Sequence, residues 1–221
     1  MKGARELVDA IRTELEPLHH KITGHRYVAA LENARVPRES LALFAIQQYH
    51  IIASDLRSVA LLLARHGNLP SRPYLLNVLQ GENNAFEVLA KFAQALRISD
   101  EALRGSEPIP AAFAYSTFFA WLAMYGSDAE MAAALSLNFA AWGINCGRMS
   151  AALKTKYGLK PDAVTFFDLF ANLLPASDAA TAVIEGGLDR GVPAAAIARA
   201  ARMLQGYELM YWDTLYRTAS P

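Results

Sequence analysis

Glu208 is a carboxylate set among aromatic and apolar residues, in the segment MLQGYELMYWD at 203–213. At helical spacing, Tyr207, Met210 and Tyr211 are expected on its side of the last helix, which predicts that the carboxylate points into the protein. Burying a charge is costly, so a carboxylate in such a position is a candidate for proton transfer in catalysis. The alternative is a structural glutamate held by an arginine or a tyrosine hydroxyl.

The length and charge of the chain predict one domain that binds a small molecule. The 221 residues contain no segment with the length and composition of an interdomain linker, so we expect a single domain over residues 1–221. The 21 basic and 21 acidic residues balance, which argues against a nucleic-acid partner or an anionic membrane surface. A neutral or zwitterionic small ligand fits this balance better.

Membrane and secretion signals are not found in the sequence. Although 53% of the residues are hydrophobic, no apolar run approaches the roughly 20 residues of a membrane span, and the first residues lead into an amphipathic helix. We therefore expect no membrane partner and a cytoplasmic location. The single cysteine, Cys146, excludes an internal disulfide and cannot build a thiolate metal site by itself.

The hydrophobic pattern predicts an all-α fold. Apolar residues recur at spacings of three and four between Pro, Gly and Ser/Asp breaks, and sustained strand-type alternation is not seen. The alanine-rich stretch 129–141 is apolar on more than one face, so we expect a compact bundle whose helices are covered on several sides. The expected helices cover residues 4–18, a short stretch after 25, 37–67, 71–97, a stretch ending near 126, 128–157, 163–174, 178–188 and 193–216.

Several short motifs are distributed along nearly the whole chain. They are HRYV at 25–28, Pro37, QQY at 47–49, FAQALRI at 92–98, AYS at 114–116 and YELMYWD at 207–213. In order and spacing they resemble the TenA family of thiaminase II-like proteins, part of the haem oxygenase-like superfamily that also holds PqqC-type and di-iron members. The resemblance implies a single-domain haem oxygenase-like (TenA-like) helical bundle.

The resemblance also implies a central pocket for a flat aromatic or heterocyclic molecule. Glu208 corresponds to the catalytic acid/base of the family. Aromatic side chains would hold the ligand by stacking, and amide side chains would contact its polar edge. The positions expected to contact the ligand are Gln48, Tyr115, Asn138, Trp142, Phe166 and Tyr211.

Two residues of the family site are replaced in this chain. Gln48 stands where the family has an aspartate that binds the substrate pyrimidine, and Asn138 stands where it has the nucleophilic cysteine. An amide cannot form the covalent intermediate that a thiolate forms, and Cys146 lies two helical turns beyond Asn138. The sequence therefore argues against ordinary Cys-dependent thiaminase II activity.

A second carboxylate could work with Glu208, as is thought for relatives that lack the cysteine. The candidates are Asp55, Glu82 and Glu87. Asp55 lies seven residues after Gln48, two turns along the same face of a long helix, while Glu82 and Glu87 lie in an otherwise apolar helix. The alternative for each acid is a solvated face or a structural salt bridge.

The di-iron branch of the superfamily needs carboxylate and histidine ligands from several helices. Glu82 could stand for the first glutamate of that branch's Glu-x6-His motif, but Leu89 occupies the histidine position. All five histidines precede residue 67, so the last helix has none. We expect no metal site and no cofactor, haem included.

Two hypotheses from different classes follow. The first is a divergent TenA-like hydrolase that uses carboxylates instead of cysteine to cleave a C–N bond, in a thiamin-derived pyrimidine or another heterocycle. The second is a non-catalytic ligand-binding protein on the same fold, and a cofactor-free or di-iron oxidase of the superfamily is a further alternative. The resemblance also implies a homodimer or homotetramer.

Overall fold

The computed structural model describes residues 2–173 and 178–219, and within these ranges the chain forms α-helices, two 3-10 turns and loops, with no strand. The predicted all-α fold is confirmed. The α-helices are α1 (Lys2–Thr23), α2 (Arg26–Glu32), α3 (Leu41–His66), α4 (Arg72–Ala95), α5 (Asp100–Gly105), α6 (Pro110–Tyr125), α7 (Asp128–Thr155), α8 (Thr165–Ala171), α9 (Asp178–Asp189) and α10 (Ala194–Ala219). The 3-10 turns are Arg38–Ser40 and Pro161–Val164.

The helix boundaries differ from the sequence prediction mainly at helix ends. α1 continues beyond the predicted end at residue 18 and closes at residue 23. Pro37 precedes a 3-10 turn instead of opening α3, which begins at Leu41. The predicted end of α8 at residue 174 lies outside the described residues.

The short helix α5 is not predicted by the hydrophobic pattern. Its six residues bury only Leu103, which is too little to create a recognisable period. It forms because the Ser99 hydroxyl accepts a hydrogen bond from the Ala102 N–H at 3.1 Å, so that one of the free N–H groups at the helix start is satisfied.

The long helix α7 forms the centre of the bundle. It begins with a capping box in which the Glu130 N–H donates to the Ser127 hydroxyl at 3.2 Å and the Ser127 N–H donates to Glu130 Oε2 at 2.8 Å. Its many buried alanines allow neighbouring helices to come close. The approach of α9 is the tightest example, since a Cβ placed on Gly187 would lie 2.2 Å from the Ala129 Cβ.

Six helices surround the middle of the molecule and supply its interior side chains. α10 packs against α6 and α7, α3 packs against α4 and α6, and α8 packs against α7 and α4. Phe44, Phe92 and Phe167 form an aromatic cluster between α3, α4 and α8, with ring centroids 5.0 to 6.1 Å apart. Phe44 of this cluster also packs against Trp142 and Tyr211.

In the part of the chain that the structure describes, every helix is too short or too polar to cross a membrane.

Candidate functional site

A small cavity lies at the meeting point of α3, α4, α6, α7, α8 and α10. Its volume is about 40 Å³, which is enough for roughly three water molecules. Three of the described side chains that line it are acids, and none is Lys, Arg or His. The lining residues are Gln48, Ile51, Ile52, Asp55, Glu82, Tyr115, Asn138, Phe139, Trp142, Phe170, Glu208 and Tyr211.

Glu208 is held by a chain of hydrogen bonds on the α6–α7–α10 side of the cavity. The Tyr115 hydroxyl donates to Asn138 Oδ1 at 3.0 Å, and Asn138 Nδ2 donates to Glu208 Oε2 at 2.6 Å. The indole Nε1 of Trp212 donates to Glu208 Oε1 at 3.0 Å. Both carboxylate oxygens therefore have a fixed donor, and the side chain has a defined orientation.

The environment of Glu208 favours its protonated form. The residue is 2% exposed, and burial raises the pKa of its carboxyl to about 8, although the hydrogen bonds from Trp212 and Asn138 act in the opposite direction. At neutral pH the carboxyl therefore carries a proton in most molecules. A buried acid with a pKa near the working pH is suited to proton transfer.

A second pair of acids lies on the α3–α4 side of the cavity. Asp55 and Glu82 are both buried, and burial raises the pKa of Glu82 to about 7. Burial, and then the negative charge of Glu82, raise the pKa of Asp55 well above its usual range, while the Ser116 side chain lowers it. Within the described residues, Asp55 Oδ1 is buried without a hydrogen-bond partner.

Two tyrosines connect the polar parts of the cavity. Gln48 Nε2 donates to the Tyr211 hydroxyl at 2.9 Å. Burial raises the pKa of the Tyr115 hydroxyl well above its usual range, and the nearby charges of Asp55, Glu208 and Glu82 raise it further. Tyr115 therefore stays protonated and acts as a hydrogen-bond donor.

His25 fixes the helix start next to the Glu208 site. As the N-cap of α2, its Nδ1 accepts from the Tyr27 N–H at 3.2 Å, which leaves Nε2 to donate to Asp213 Oδ1, also at 3.2 Å. This arrangement assigns the neutral tautomer with the proton on Nε2, and burial lowers the pKa of the ring accordingly. The Asp213 contact ties α2 to α10 beside Trp212, the residue that donates to Glu208.

Most of the side chains expected at the site from the sequence do meet in the cavity. These are Gln48, Asp55, Glu82, Tyr115, Asn138, Trp142, Glu208 and Tyr211. Two sets of hydrogen bonds join helices that are far apart in sequence. One links Gln48 to Tyr211, and the other runs from Tyr115 through Asn138 to Glu208.

Glu87 and Phe166, two of the candidates from the sequence, do not line the cavity. Glu87 is exposed on α4, where it accepts a hydrogen bond from Asn83, because an offset of five residues from Glu82 turns it by roughly 140° around the helix. Phe166 is fully buried against Phe167 and Phe170, with ring centroids 5.3 and 5.1 Å away. Phe170, one turn later, lines the cavity in its place.

The residues around Glu208 also differ from the expected set. Met210 is 39% exposed, and Tyr207 packs on Phe118 away from the cavity, since offsets of one and two residues turn a side chain to other faces of a helix. Only Tyr211 of the three expected neighbours lines the cavity. Trp212 was missed, although its position four residues after Glu208 placed it on the same helix face.

A cysteine nucleophile and a cluster of metal ligands are two other kinds of reactive site. Cys146 is buried outside the cavity, and burial raises the pKa of its thiol well above the usual range, so the thiolate needed for nucleophilic attack is disfavoured. Across residues 2–173 and 178–219, no three His, Cys, Asp or Glu side chains converge as a set of metal ligands.

Comparison with solved structures places the fold. A TenA homologue from Pseudomonas syringae has a TM-score of 0.74 at 15% identity, over 95% of this chain and 92% of that chain. A TenA homologue from Pyrococcus furiosus has a TM-score of 0.73 at 19% identity, over 95% of this chain and 100% of that one.

A third similar structure is a domain of unknown function with a haem oxygenase-like fold from Shewanella denitrificans. Its TM-score is 0.73 at 12% identity, over 97% of this chain and 92% of that chain. At such low identities the likeness shows the fold, and it confirms the haem oxygenase-like helical bundle that the motifs predict.

Sequence comparison supplies the family. No match was found among curated proteins. The model of the TENA/THI-4/PQQC family matches residues 12–168, which is well over half of the chain and includes Gln48, Asp55, Glu82, Tyr115 and Asn138. The chain therefore belongs to the TENA/THI-4/PQQC family.

Proposed function

We propose that the protein binds a small nitrogen heterocycle in the central cavity and hydrolyses a C–N bond in it, with Glu208 as the acid/base and without a cysteine nucleophile. The observation that carries this proposal is the state of Glu208. Its carboxyl lines a cavity large enough for water, is oriented by two donors, and has a pKa raised by burial to about 8. These are the properties of a residue that exchanges protons with a bound molecule.

In the proposed reaction, a water molecule adds to the carbon of the C–N bond and the nitrogen leaves as an amine. Protonated Glu208 donates its proton to the leaving nitrogen. The resulting carboxylate accepts a proton from the attacking water, so the enzyme returns to its starting state. The N–H groups of Asn138 and Trp212 stabilise the carboxylate while it is charged.

The shape of the cavity supports a flat and small ligand. Phe139, Trp142, Phe170 and Tyr211 provide aromatic surface for stacking. The volume of about 40 Å³ is below the roughly 150 Å³ of a cavity that encloses one aromatic ring. These side chains must therefore move to admit even a single ring, and side-chain movement on binding is common. We therefore propose a single-ring heterocycle, such as an aminopyrimidine, as the part of the ligand that is enclosed.

The arrangement of Asn138 favours one other function, that of a non-catalytic binding protein. Both ends of the Asn138 amide are bonded to neighbours, so the position of the family nucleophile is filled by a group that links Tyr115 to Glu208. Such a site would bind a heterocycle without forming a covalent intermediate. In this alternative, Glu208 would donate a hydrogen bond to the ligand and no bond would be cleaved.

A binding screen followed by a turnover assay separates the two functions. Thermal shift with thiamin, aminopyrimidines and other single-ring heterocycles would identify ligands, and each would then be tested for amine release. We expect hydrolysis of at least one ligand by the wild type and none by Glu208→Gln. Binding without hydrolysis would support the second function, and hydrolysis that survives Glu208→Gln would contradict the role of Glu208.

We further propose that the protein self-associates through an apolar surface formed by α6 and α10. Trp121 on α6 and Met203 on α10 line one surface groove and are 47% and 39% exposed, and Tyr125, which is 71% exposed, packs on Trp121. Exposed apolar groups in one area are typical of protein interfaces. Light scattering after gel filtration should give a dimer or tetramer, and Trp121→Glu should shift it towards the monomer; a wild-type monomer would contradict the proposal.

A further inference from the structure

Among the acids that line the described part of the central cavity, only Asp55 has a fully buried oxygen without a hydrogen-bond partner. The residue is 4% exposed, it lines the cavity, and Oδ1 is buried without a partner. Most buried polar atoms in proteins are hydrogen-bonded, and one that is not costs folding free energy. An unsatisfied acceptor that faces a cavity is therefore a candidate contact for a bound molecule.

The charges around Asp55 define what kind of molecule would fit. Glu82 lies close enough for its charge to act on Asp55, and Glu208 is a third acid of the same cavity. No basic side chain is present among the described lining residues to neutralise these acids. A positively charged ligand with N–H groups would neutralise these acids and donate to the unpartnered oxygen of Asp55.

We propose that Asp55, supported by Glu82, binds the amidine-type edge of the ligand, in which a ring nitrogen and the amino group beside it both present N–H donors. Such an edge occurs in protonated aminopyrimidines and aminopyridines. Its two parallel N–H groups match the two oxygens of one carboxylate, as in other bidentate pairs. Burial raises the pKa of the Asp55 carboxyl in the empty site, and a proton held there is released to solvent when the cation binds. The proposal rests on the proposed function for the location of the ligand and adds the chemical class of its polar edge.

The state of Gln48 supports Asp55 as the residue of α3 that contacts the amidine-type edge. Gln48 lies two turns before Asp55 on the same face of α3, but its amide is used by the Tyr211 hydroxyl and carries no charge. The anionic contact of the cavity on α3 is therefore provided two turns further along the helix, by Asp55. Glu82, from α4, faces the same space and adds a second negative group.

The test uses two probes of the same size that differ in this edge. At pH 6, 2-aminopyridine is largely cationic and presents ring and amino N–H groups side by side, whereas aniline is neutral and has only the amino group. Ligand-observed NMR titration would give the affinity of each probe for the wild type, Asp55→Asn, Glu82→Gln and Glu87→Gln. Glu87→Gln is the matched control, because Glu87 is on the same helix as Glu82 but is exposed outside the cavity.

We expect Asp55→Asn to weaken 2-aminopyridine binding at least tenfold and aniline binding less than twofold, with Glu82→Gln intermediate and Glu87→Gln unchanged. We also expect the melting temperature of Asp55→Asn to stay the same or rise, because the change removes an unpartnered carboxylate. Two results would overturn the proposal: a wild type that does not bind 2-aminopyridine, or an equal loss of affinity for both probes.

Glu82→Gln keeps the proposal testable if Asp55→Asn does not fold well enough for titration. A loss of threefold or more for 2-aminopyridine alone would support it, and an unchanged affinity would overturn it. The outcome is separate from the proposed hydrolysis. Selective loss of probe binding with no turnover of any compound would retain this proposal and remove the hydrolase, while Glu208-dependent turnover with an unchanged Asp55→Asn would do the reverse.

Discussion

The two polar sides of the cavity are built in opposite ways. On the α6–α7–α10 side, Asn138 and Trp212 each donate to one oxygen of Glu208, and Tyr115 donates to the other end of the Asn138 amide. On the α3–α4 side, Asp55 and Glu82 raise each other's energy in the charged state, and Asp55 Oδ1 has no partner in the described structure. A satisfied network is already organised before a ligand arrives, whereas an unsatisfied acid gains its partner only on binding. The difference suggests that the first side does the chemistry and the second holds the ligand.

Replacing the Glu208 carboxyl by an amide should have the largest effect on function. Glu208→Gln is expected to lower turnover of any hydrolysed heterocycle by about 10²- to 10⁴-fold, the usual contribution of an acid/base residue. The fold should survive, because the new amide can accept from Trp212 and donate to Asn138 once the Asn138 amide turns over. Steady-state kinetics with circular dichroism checks both points. Full activity, or an unfolded variant, would return Glu208 to a structural role.

The next effect concerns Gln48 and Asn138, which the resemblance aligns with the aspartate and the cysteine of the family. Asn138→Cys alone should not restore strong thiaminase II activity, because the bridge to Glu208 is lost and Gln48 cannot place an anionic contact at its own position, two turns before Asp55. The double variant Gln48→Asp with Asn138→Cys should be at least about tenfold faster, as expected for a charged contact worth more than about 1.4 kcal/mol. Equal, high rates for the single and double variants in a thiamin hydrolysis assay would show that the pocket already suits thiamin.

The raised pKa of Glu208 should also appear in the stability of the protein. Between pH 4.5, its ordinary pKa, and about 8, the folded state holds more protons than the unfolded state. Stability is therefore expected to fall as pH rises through this range, by on the order of a few kcal/mol. Urea unfolding at several pH values should show a weaker decline in Glu208→Gln and an unchanged decline in Glu87→Gln. The same slope in all three proteins would contradict this account.

A pair of conservative changes should separate the two sides of the cavity by stability alone. Tyr115→Phe takes away the donor to Asn138 Oδ1 and should cost about 1 kcal/mol or somewhat more. Asp55→Asn removes a carboxylate whose Oδ1 is unpartnered and should cost nothing or stabilise the fold. Urea unfolding at pH 7 measures both. A destabilised Asp55→Asn together with a neutral Tyr115→Phe would reverse the comparison.

Loading the protein with iron is expected to have the smallest effect, because we expect no iron site. The α3–α4 acids could be taken for metal ligands, but Leu89 occupies the position of the required histidine and α10 contains none. Metal analysis after anaerobic loading with Fe(II) should find no stoichiometric iron. About two irons per chain, lost in Glu82→Ala, would show that these acids serve a di-iron centre instead of an organic cation.

The sequence predicts local structure well where the signal lies within one helix. Periodicity and capping residues define the long helices, and the apolar neighbours of Glu208 predict its burial, which the structure shows as 2% exposure. The seven-residue spacing of Gln48 and Asp55 likewise predicts a shared face of α3, and both line the cavity. These predictions succeed because a helix fixes the relative directions of its own side chains.

Other features of the site depend on how the helices are rotated against one another. The spacing of Glu82 and Glu87 shows that they point in different directions, but only the packing of α4 on α3 decides that Glu82 faces the cavity. In the same way, the packing of α8 turns Phe166 into the aromatic core and Phe170 towards the cavity. Sequence spacing carries no information about such rotations.

By itself, the sequence determined an all-α chain with the motif order of its family and a buried Glu208. The tertiary structure alone decided that Asn138 links Tyr115 to Glu208 and that Asp55 Oδ1 has no partner in the described residues. A hydrogen bond between helices depends on the positions of both side chains in space. Those positions are set by the packing of the whole bundle and not by any one segment.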